Sequence, residues 1–205
     1  MKRMNKGQVF IISGPSGSGK DTLLVELFKK RPEIAFSISS ITRDMREGEK
    51  EGEKYNFISK AEFESMIAKN ELLEYNKYVD NYYGTPKKPV EAATDSGKDI
   101  IIEVDVNGAA QIREKLPGAV SIFIMPPSFN ELERRLSGRG TESRELIEKR
   151  LKSALGEIKR ATEYDYIVVN RDIPCAVDDI ISVINSCRLQ LGRQKHIIDE
   201  VLEKC

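Results

Sequence analysis

The stretch Gly14-Pro15-Ser16-Gly17-Ser18-Gly19-Lys20-Asp21-Thr22 constrains this chain more than any other. It follows an apolar run, Gln8 to Ile12, and opens a helix-forming segment, Thr22 to Phe28. A strand, a glycine-rich turn, a lysine and then a helix are the context a phosphate-binding loop requires. The glycines let successive backbone N–H groups turn inward around an anion without Cβ clashes. The helix start adds its own N–H groups and the positive end of its dipole. Lys20 supplies a mobile cation for the outer phosphates. A plain glycine-rich turn between strand and helix is the bland alternative, and it leaves the lysine and the flanking order unexplained. The pattern asks for Ser or Thr after the lysine. Here Asp21 stands in that place, with Thr22 next.

A length of 205 residues suits one domain with a small inserted lobe. Lys plus Arg and Asp plus Glu number 33 each, so the formal charge is zero. That balance argues against wholesale binding to nucleic acid or an anionic membrane. The cysteines, Cys175, Cys187 and Cys205, are odd in number and widely spaced, which gives neither a disulfide framework nor a metal spacing. A reducing, cytoplasmic setting is the expectation. The basic start, Met1 to Lys6, is followed by an apolar run too short for a signal peptide, and no stretch approaches a membrane span. The single histidine, His196, reads as a solvated helix residue.

Along the chain, Ile34 to Ser40 alternates like a second strand, and the charged stretch Thr42 to Lys54, with Gly48 and Gly52, reads as loop. Tyr55 to Ile58 is a short strand. Ser59 caps a helix from Lys60 to Ala68, with Glu62 completing a capping box. Leu72 to Val79 and Asn81 to Gly84 form a hairpin-like pair, and Lys87 to Thr94 a helix ending at Gly97. Asp99 to Asp105 is a near-continuous apolar strand with acids at its end, as in the centre of a parallel sheet. Then come a helix (Asn107 to Leu116), a buried strand (Ala119 to Met125) and a helix capped by Ser128 (Asn130 to Leu136). A long helix (Ser143 to Glu163), a strand (Tyr166 to Val169) and a last helix (Asp178 to Leu191) follow. Strands alternating with helices imply a parallel sheet with right-handed crossovers. The segment from Ile34 to Thr94 breaks that alternation and reads as an inserted lobe for a second substrate.

The whole chain resembles a guanylate kinase. The resemblance is carried by Ser37 to Arg43, Arg46 to Gly48, Gly52-Glu53-Lys54-Tyr55, Glu74 and Asn81 to Thr85. It continues through Glu103 to Gly108, Ile124 to Ser128, Arg135 to Gly140, Tyr164 to Tyr166 and Val169-Asn170. It implies an α/β fold: a P-loop NTPase parallel sheet flanked by helices, an inserted mixed α/β lobe that binds the nucleoside monophosphate, and a helical lid. The core would span 1–33 and 98–205, the lobe 34–97 and the lid 128–160. It implies transfer of the γ-phosphoryl of ATP to GMP, and to dGMP, with Mg²⁺ accompanying ATP. No covalent intermediate is needed, and no general base stands out.

The resemblance also assigns roles. Ser39, Arg43, Arg46, Tyr55 and Tyr83 would surround the acceptor phosphate, where the planar fork of arginine pairs two phosphate oxygens. Glu74 and Asp105 would read the guanine N1 and N2 donors, with the hydroxyls of Ser39 and Thr85 toward O6. Tyr82 reads as a core aromatic. Glu103 and Asp105 would hold Mg²⁺ from the end of a buried strand, although one of them can instead cap the next helix. Lys20, Arg43, Arg139 and Arg150 would neutralise charge during transfer, while Arg135 reads equally as a surface ion pair. Asn170 would sit on the ATP side with the loop from Gly14 to Thr22. Asp21 is read as a third metal ligand, with a helix-capping role as the alternative. Two rivals remain. A Gly-Lys-Asp ending also resembles the ribose 1,5-bisphosphate phosphokinases, and guanylate-kinase-like scaffold domains bind peptides without chemistry. ATP and GMP are the expected partners, and a homo-oligomer is left open.

Overall fold

The computed structural model describes residues 6–138 and 144–203, so Arg139 and Cys205 lie outside the described residues. In chain order, β1 (Val9–Ser13) leads through the glycine-rich turn into α1 (Lys20–Lys30), followed by β2 (Ala35–Phe36), β3 (Ser39–Ile41) and β4 (Tyr55–Phe57). Next come α2 (Lys60–Ala68), β5 (Leu72–Tyr78), β6 (Asn81–Pro86) and α3 (Lys87–Asp95). β7 (Ile100–Glu103), α4 (Val106–Lys115), β8 (Val120–Met125), α5 (Phe129–Ser137) and α6 (Arg144–Lys159) continue the chain. It closes with β9 (Tyr166–Val169), α7 (Ile173–Arg188) and α8 (Leu191–Leu202).

Two sheets result. The larger has the order β2-β7-β1-β8-β9, and every pairing in it is parallel. Its central strand β1 is buried on every residue, as a parallel sheet covered on both faces demands. On one face Phe10, Ile12 and Ile122 pack with Leu23 and Leu27 of α1 and Val177, Ile180 and Ile184 of α7. On the other, Ile11 and Ile102 pack with Ala109 and Ile112 of α4 and Val90 of α3. The smaller sheet has the order β4-β3-β6-β5; β3 and β4 run parallel and the other pairings are antiparallel. The α/β architecture read from the alternation is thus present, with the mixed sheet inserted between α1 and β7.

Four elements differ from the sequence reading. The single strand expected over Ile34 to Ser40 is two strands in two sheets: β2 pairs with β7, and β3 pairs with β4 and β6. Ser37 still donates its backbone N–H to Ile101 (2.9 Å), and the chain then crosses to the small sheet. Alternation reports which face a side chain takes, not which sheet a strand joins. Helix α7 starts five residues earlier than Asp178, because the side chain of Asp172 accepts from the Cys175 N–H and Pro174 fits the first turn. The chain does not stop at that helix but turns into α8, which buries none of its residues. The long helix also tightens into a 3₁₀ turn over Arg160–Glu163.

Candidate functional site

The sheet places its ligand crevice at the carboxyl ends of the parallel strands. β1 ends there in the glycine-rich loop, and neighbouring β7 ends in Glu103. A cavity of about 420 Å³ runs from this loop to the small sheet. At one end lie Gly14, Ser16 and Lys20; at the other, Ser39, Tyr55, Glu74, Tyr83 and Asp105. Of the residues expected around the acceptor phosphate, Ser39, Tyr55 and Tyr83 therefore share one cleft with Lys20 and Glu103, while Arg43 and Arg46 do not line it.

The loop is braced from below. The Asn170 side chain, buried at the end of β9, donates from Nδ2 to the Ser18 carbonyl (2.8 Å). Arg135 on α5 donates to the same carbonyl (3.2 Å) and to the Asn170 carbonyl (3.0 Å), and pairs with Glu131 (2.8 Å). Gly19 has φ +93°, and a Cβ there would sit 2.4 Å from Asn170 Nδ2, so only glycine fits. Asn170, expected on the ATP side, thus has its amide donor committed to the loop backbone. Arg135 is likewise an internal brace. Lys20 folds over the loop and donates from Nζ to the carbonyls of Gly14 (2.7 Å) and Pro15 (3.2 Å). Burial lowers its pKa, against the pull of Glu103, Glu157 and Asp21. Arg150 on α6 reaches Ser16 Oγ from Nη2 (2.7 Å), which puts the expected lid arginine against the loop.

At the opposite end Glu74 is 6% exposed and accepts from the hydroxyl of buried Thr85 (2.7 Å). Burial pushes its carboxyl up to about 7, and nearby Asp105 adds to the rise while the Thr85 hydrogen bond opposes it. The Thr85 hydroxyl is spent on Glu74, so of the two expected hydroxyls Ser39 is the one on the cleft wall. Asp105 caps α4: Oδ1 accepts from the N–H groups of Asn107 (2.9 Å) and Gly108 (2.8 Å), and Oδ2 faces Asn76 Nδ2 at 3.4 Å. The expectation that one strand-end acid caps the next helix is met by this one. Tyr82 stacks on Phe63 of α2 with centroids 5.1 Å apart, but it is only half-buried rather than a core aromatic.

Arg43 sits behind Tyr55, its guanidinium 5.4 Å from that ring and 5.7 Å from Phe57. Both of its terminal nitrogens pair with Glu49, at 2.7 and 2.6 Å. The Arg46 side chain is exposed, while its backbone N–H also donates to Glu49 (2.8 Å). These bonds, that of Arg43 foremost, hold the Glu49 carboxyl down at about 2.

The three acids expected to share a metal are not gathered. Among the described residues no group of three or more His, Cys, Asp or Glu side chains is placed to hold a metal ion. Asp105 is turned to its helix cap. Asp21 makes no cap hydrogen bond; α1 starts behind Gly19 without a side-chain cap. Instead Asp21 pairs with Lys54, whose Nζ also lies 3.1 Å from Glu103 Oε2. Burial works against the Lys54 charge, but Glu103 and Asp21 outweigh it and raise its pKa. Lys54 received no role from the sequence, although it stands next to Tyr55 in a quoted motif; its partners come from α1 and β7, distant in the chain.

The guanylate kinase family model matches residues 6–187. The chain is 48% identical over 203 residues to the guanylate kinase of Neisseria meningitidis, covering 99% of each. It is 43% identical over 197 residues to the guanylate kinase of Desulfitobacterium hafniense, covering 96% of this chain and 98% of that one. The crystal structure of guanylate kinase from Anaplasma phagocytophilum superposes with a TM-score of 0.75 at 34% identity, covering 92% of this chain and 90% of that one. With the phosphate loop, the inserted sheet and the shared cleft in place, these likenesses settle the lineage: the chain belongs to the guanylate kinase family.

Proposed function

We propose that this chain transfers the γ-phosphoryl group of ATP to GMP, and to dGMP, giving ADP and GDP or dGDP. The observation that carries the reading is the buried Glu74–Thr85 pair at the far end of the cleft that begins at Lys20. Glu74, as a carboxylate, accepts from guanine N1–H and N2–H, Asp105 stands beside it, and Ser39 offers a hydroxyl to O6. Adenine presents the opposite polarity at its six-position and leaves the buried acid unpaired. Arg43, Arg46, Tyr55 and Tyr83 take the acceptor phosphate. Lys20 and the loop N–H groups from Gly14 to Thr22 take the ATP phosphates, and Arg150 meets the transferring group. Arg139, expected among these cations, lies outside the described residues. Catalysis is then positioning and charge neutralisation.

Mg²⁺ suits the residues present: Asp21 and Glu103 already converge on one cation, the Lys54 ammonium, beside the phosphate loop. One or two carboxylates plus substrate phosphates are the usual setting for this ion. Asp21 and Glu103 would hold it, and it would supply charge neutralisation at the phosphates. A reducing cytoplasmic setting goes with the free thiols of Cys175 and Cys187. No helix among the described residues is long and apolar enough to cross a membrane.

The test is an ADP-release assay with GMP, dGMP, AMP, CMP, UMP and ribose 1,5-bisphosphate as acceptors. GMP is expected to exceed AMP by at least about a hundredfold in kcat/KM, the scale set by leaving a buried charged group unpaired. Turnover of ribose 1,5-bisphosphate without turnover of GMP overturns the reading.

A further inference from the structure

Lys54 stands immediately before β4, on the lobe side of the cleft, yet its ammonium reaches the core. It meets Asp21 in the first turn of α1 and Glu103 at the end of β7. Lys20 and Lys54, two ammonium groups, thus share their surroundings with three carboxylates, Asp21, Glu103 and Glu157. The lysine side chain is 41% exposed and Asp21 70%, so their pair contributes little to stability. Its significance lies in its position. Asp21 stands where the loop pattern wants a neutral hydroxyl, and adds a negative charge where phosphates bind. Lys54 supplies the matching positive charge from across the cleft. Two carboxylates that close repel by a few kcal/mol in a partly wet site, and the ammonium removes that repulsion.

We propose that Lys54 is a positioning residue whose ammonium holds Asp21 and Glu103 together in place of the divalent ion that accompanies ATP, and that it yields both carboxylates when that ion binds. This rests on the reading of the cleft given above. A lysine suits the task because its ammonium is a compact charge on a flexible stem, with no planar geometry to satisfy. The carboxylates cannot serve the ammonium and a hard divalent cation at full strength together, and with phosphate oxygens added the divalent ion is the better partner. Once released, Lys54 remains in the cleft between the phosphate loop and Tyr55 and adds a positive charge where phosphates meet. Its release also frees the loop that carries Arg43 and Arg46 from its tether to α1. The departure at Asp21 and the lysine at 54 are thereby one device.

The device is read without nucleotide or turnover, by titrating Mn²⁺ into the full chain and following free Mn²⁺ by electron paramagnetic resonance. Lys54→Met keeps the stem and removes the charge. It is expected to bind Mn²⁺ at least about tenfold more tightly than the wild type, the scale of removing one adjacent unit charge. Lys54→Arg, which keeps the charge, is expected to bind like the wild type, and Lys54→Met combined with Asp21→Ser to lose the gain. Equal affinity of wild type and Lys54→Met overturns the proposal. So does a gain in Lys54→Arg, or a gain that survives Asp21→Ser. The acceptor panel on the wild type reports separately on the kinase reading, so the two can fail independently.

Discussion

Glu74 is a carboxylic acid with almost no water around it. Only 6% of the residue is exposed, and α4 closes in so tightly that a Cβ on Gly108 would lie 3.0 Å from Glu74 Oε2. Desolvation disfavours the charged form, and the folded-state pKa of about 7 stands against an ordinary 4.5. Between these values the folded chain binds a proton that the unfolded chain has lost, so this residue makes stability fall as pH rises. Its cost is absent below the ordinary value, grows toward the folded one and levels off above it, at roughly 3 kcal/mol for a shift of that size. Glu74→Gln keeps an acceptor for Thr85 without the charge. Urea unfolding of both proteins from acid to mildly alkaline pH is expected to show the variant gaining on the wild type as pH rises. Parallel stability curves would mean that Glu74 titrates normally. The same variant is expected to lose GMP as a substrate, since its amide turns a donating NH2 toward one of the two guanine donors where the carboxylate had an acceptor. The sequence named Glu74, Thr85 and Asp105 only through the resemblance, because each alone is an ordinary residue. Lys54 escaped it because its meaning lies in partners brought from other elements.

The phosphate loop depends on what lies under it. Asn170 from β9 and Arg135 from α5 both hold the Ser18 carbonyl, and Gly19 passes over the Asn170 amide with no room for a methyl group. Gly19→Ala is therefore expected to distort the loop twice over. The left-handed backbone costs about 1–2 kcal/mol for any residue with a Cβ, and the contact with Asn170 adds more. ATP affinity measured by calorimetry is expected to collapse. Adding Asn170→Ala removes the contact but not the backbone strain, so the double variant is expected to recover part of the loss. Unchanged ATP binding in Gly19→Ala would show that the loop is not held this way. Such cross-element packing explains what the sequence could and could not disclose. The capping box of α2 was legible because Ser59 and Glu62 meet three residues apart, and it forms as read. The loop, β1 and the β5–β6 hairpin carry equally local signals. The split of Ile34 to Ser40 between two sheets carries none, since both strands show the same alternation and the crossing is decided by distant partners.

At the scale of the whole molecule, the core sheet is closed on its two faces by α1, α3, α4 and α7, and the cleft opens at its carboxyl edge toward the small sheet. α8 belongs to neither layer. It buries no residue, and Leu191, Val201 and Leu202 are all exposed. An amphipathic segment with no core to bury against gives only a weak periodic signal, which is why the sequence reading ended at α7. Its ties to the rest include Arg193, which donates to the Gln8 side chain and to the Lys6 carbonyl (2.6 Å). Beside them buried Asp99 pairs with Arg188 of α7 (2.8 Å), lies 4.0 Å from Arg193 and accepts the Gln8 N–H (2.8 Å). A chain ending after Gln190 therefore keeps the nearer of the two arginines that neutralise Asp99 and loses little apolar burial. The missing Arg193 hydrogen bonds amount to about 1–3 kcal/mol, or a fall in Tm of several degrees for a chain of this size. Turnover of GMP is expected to stay at the wild-type value, because every residue lining the cleft precedes α7. Thermal unfolding and the ADP-release assay check both halves. A fall of more than about 10 °C, or a loss of kcat with the fold intact, would make α8 part of the working enzyme rather than a helix resting on its surface.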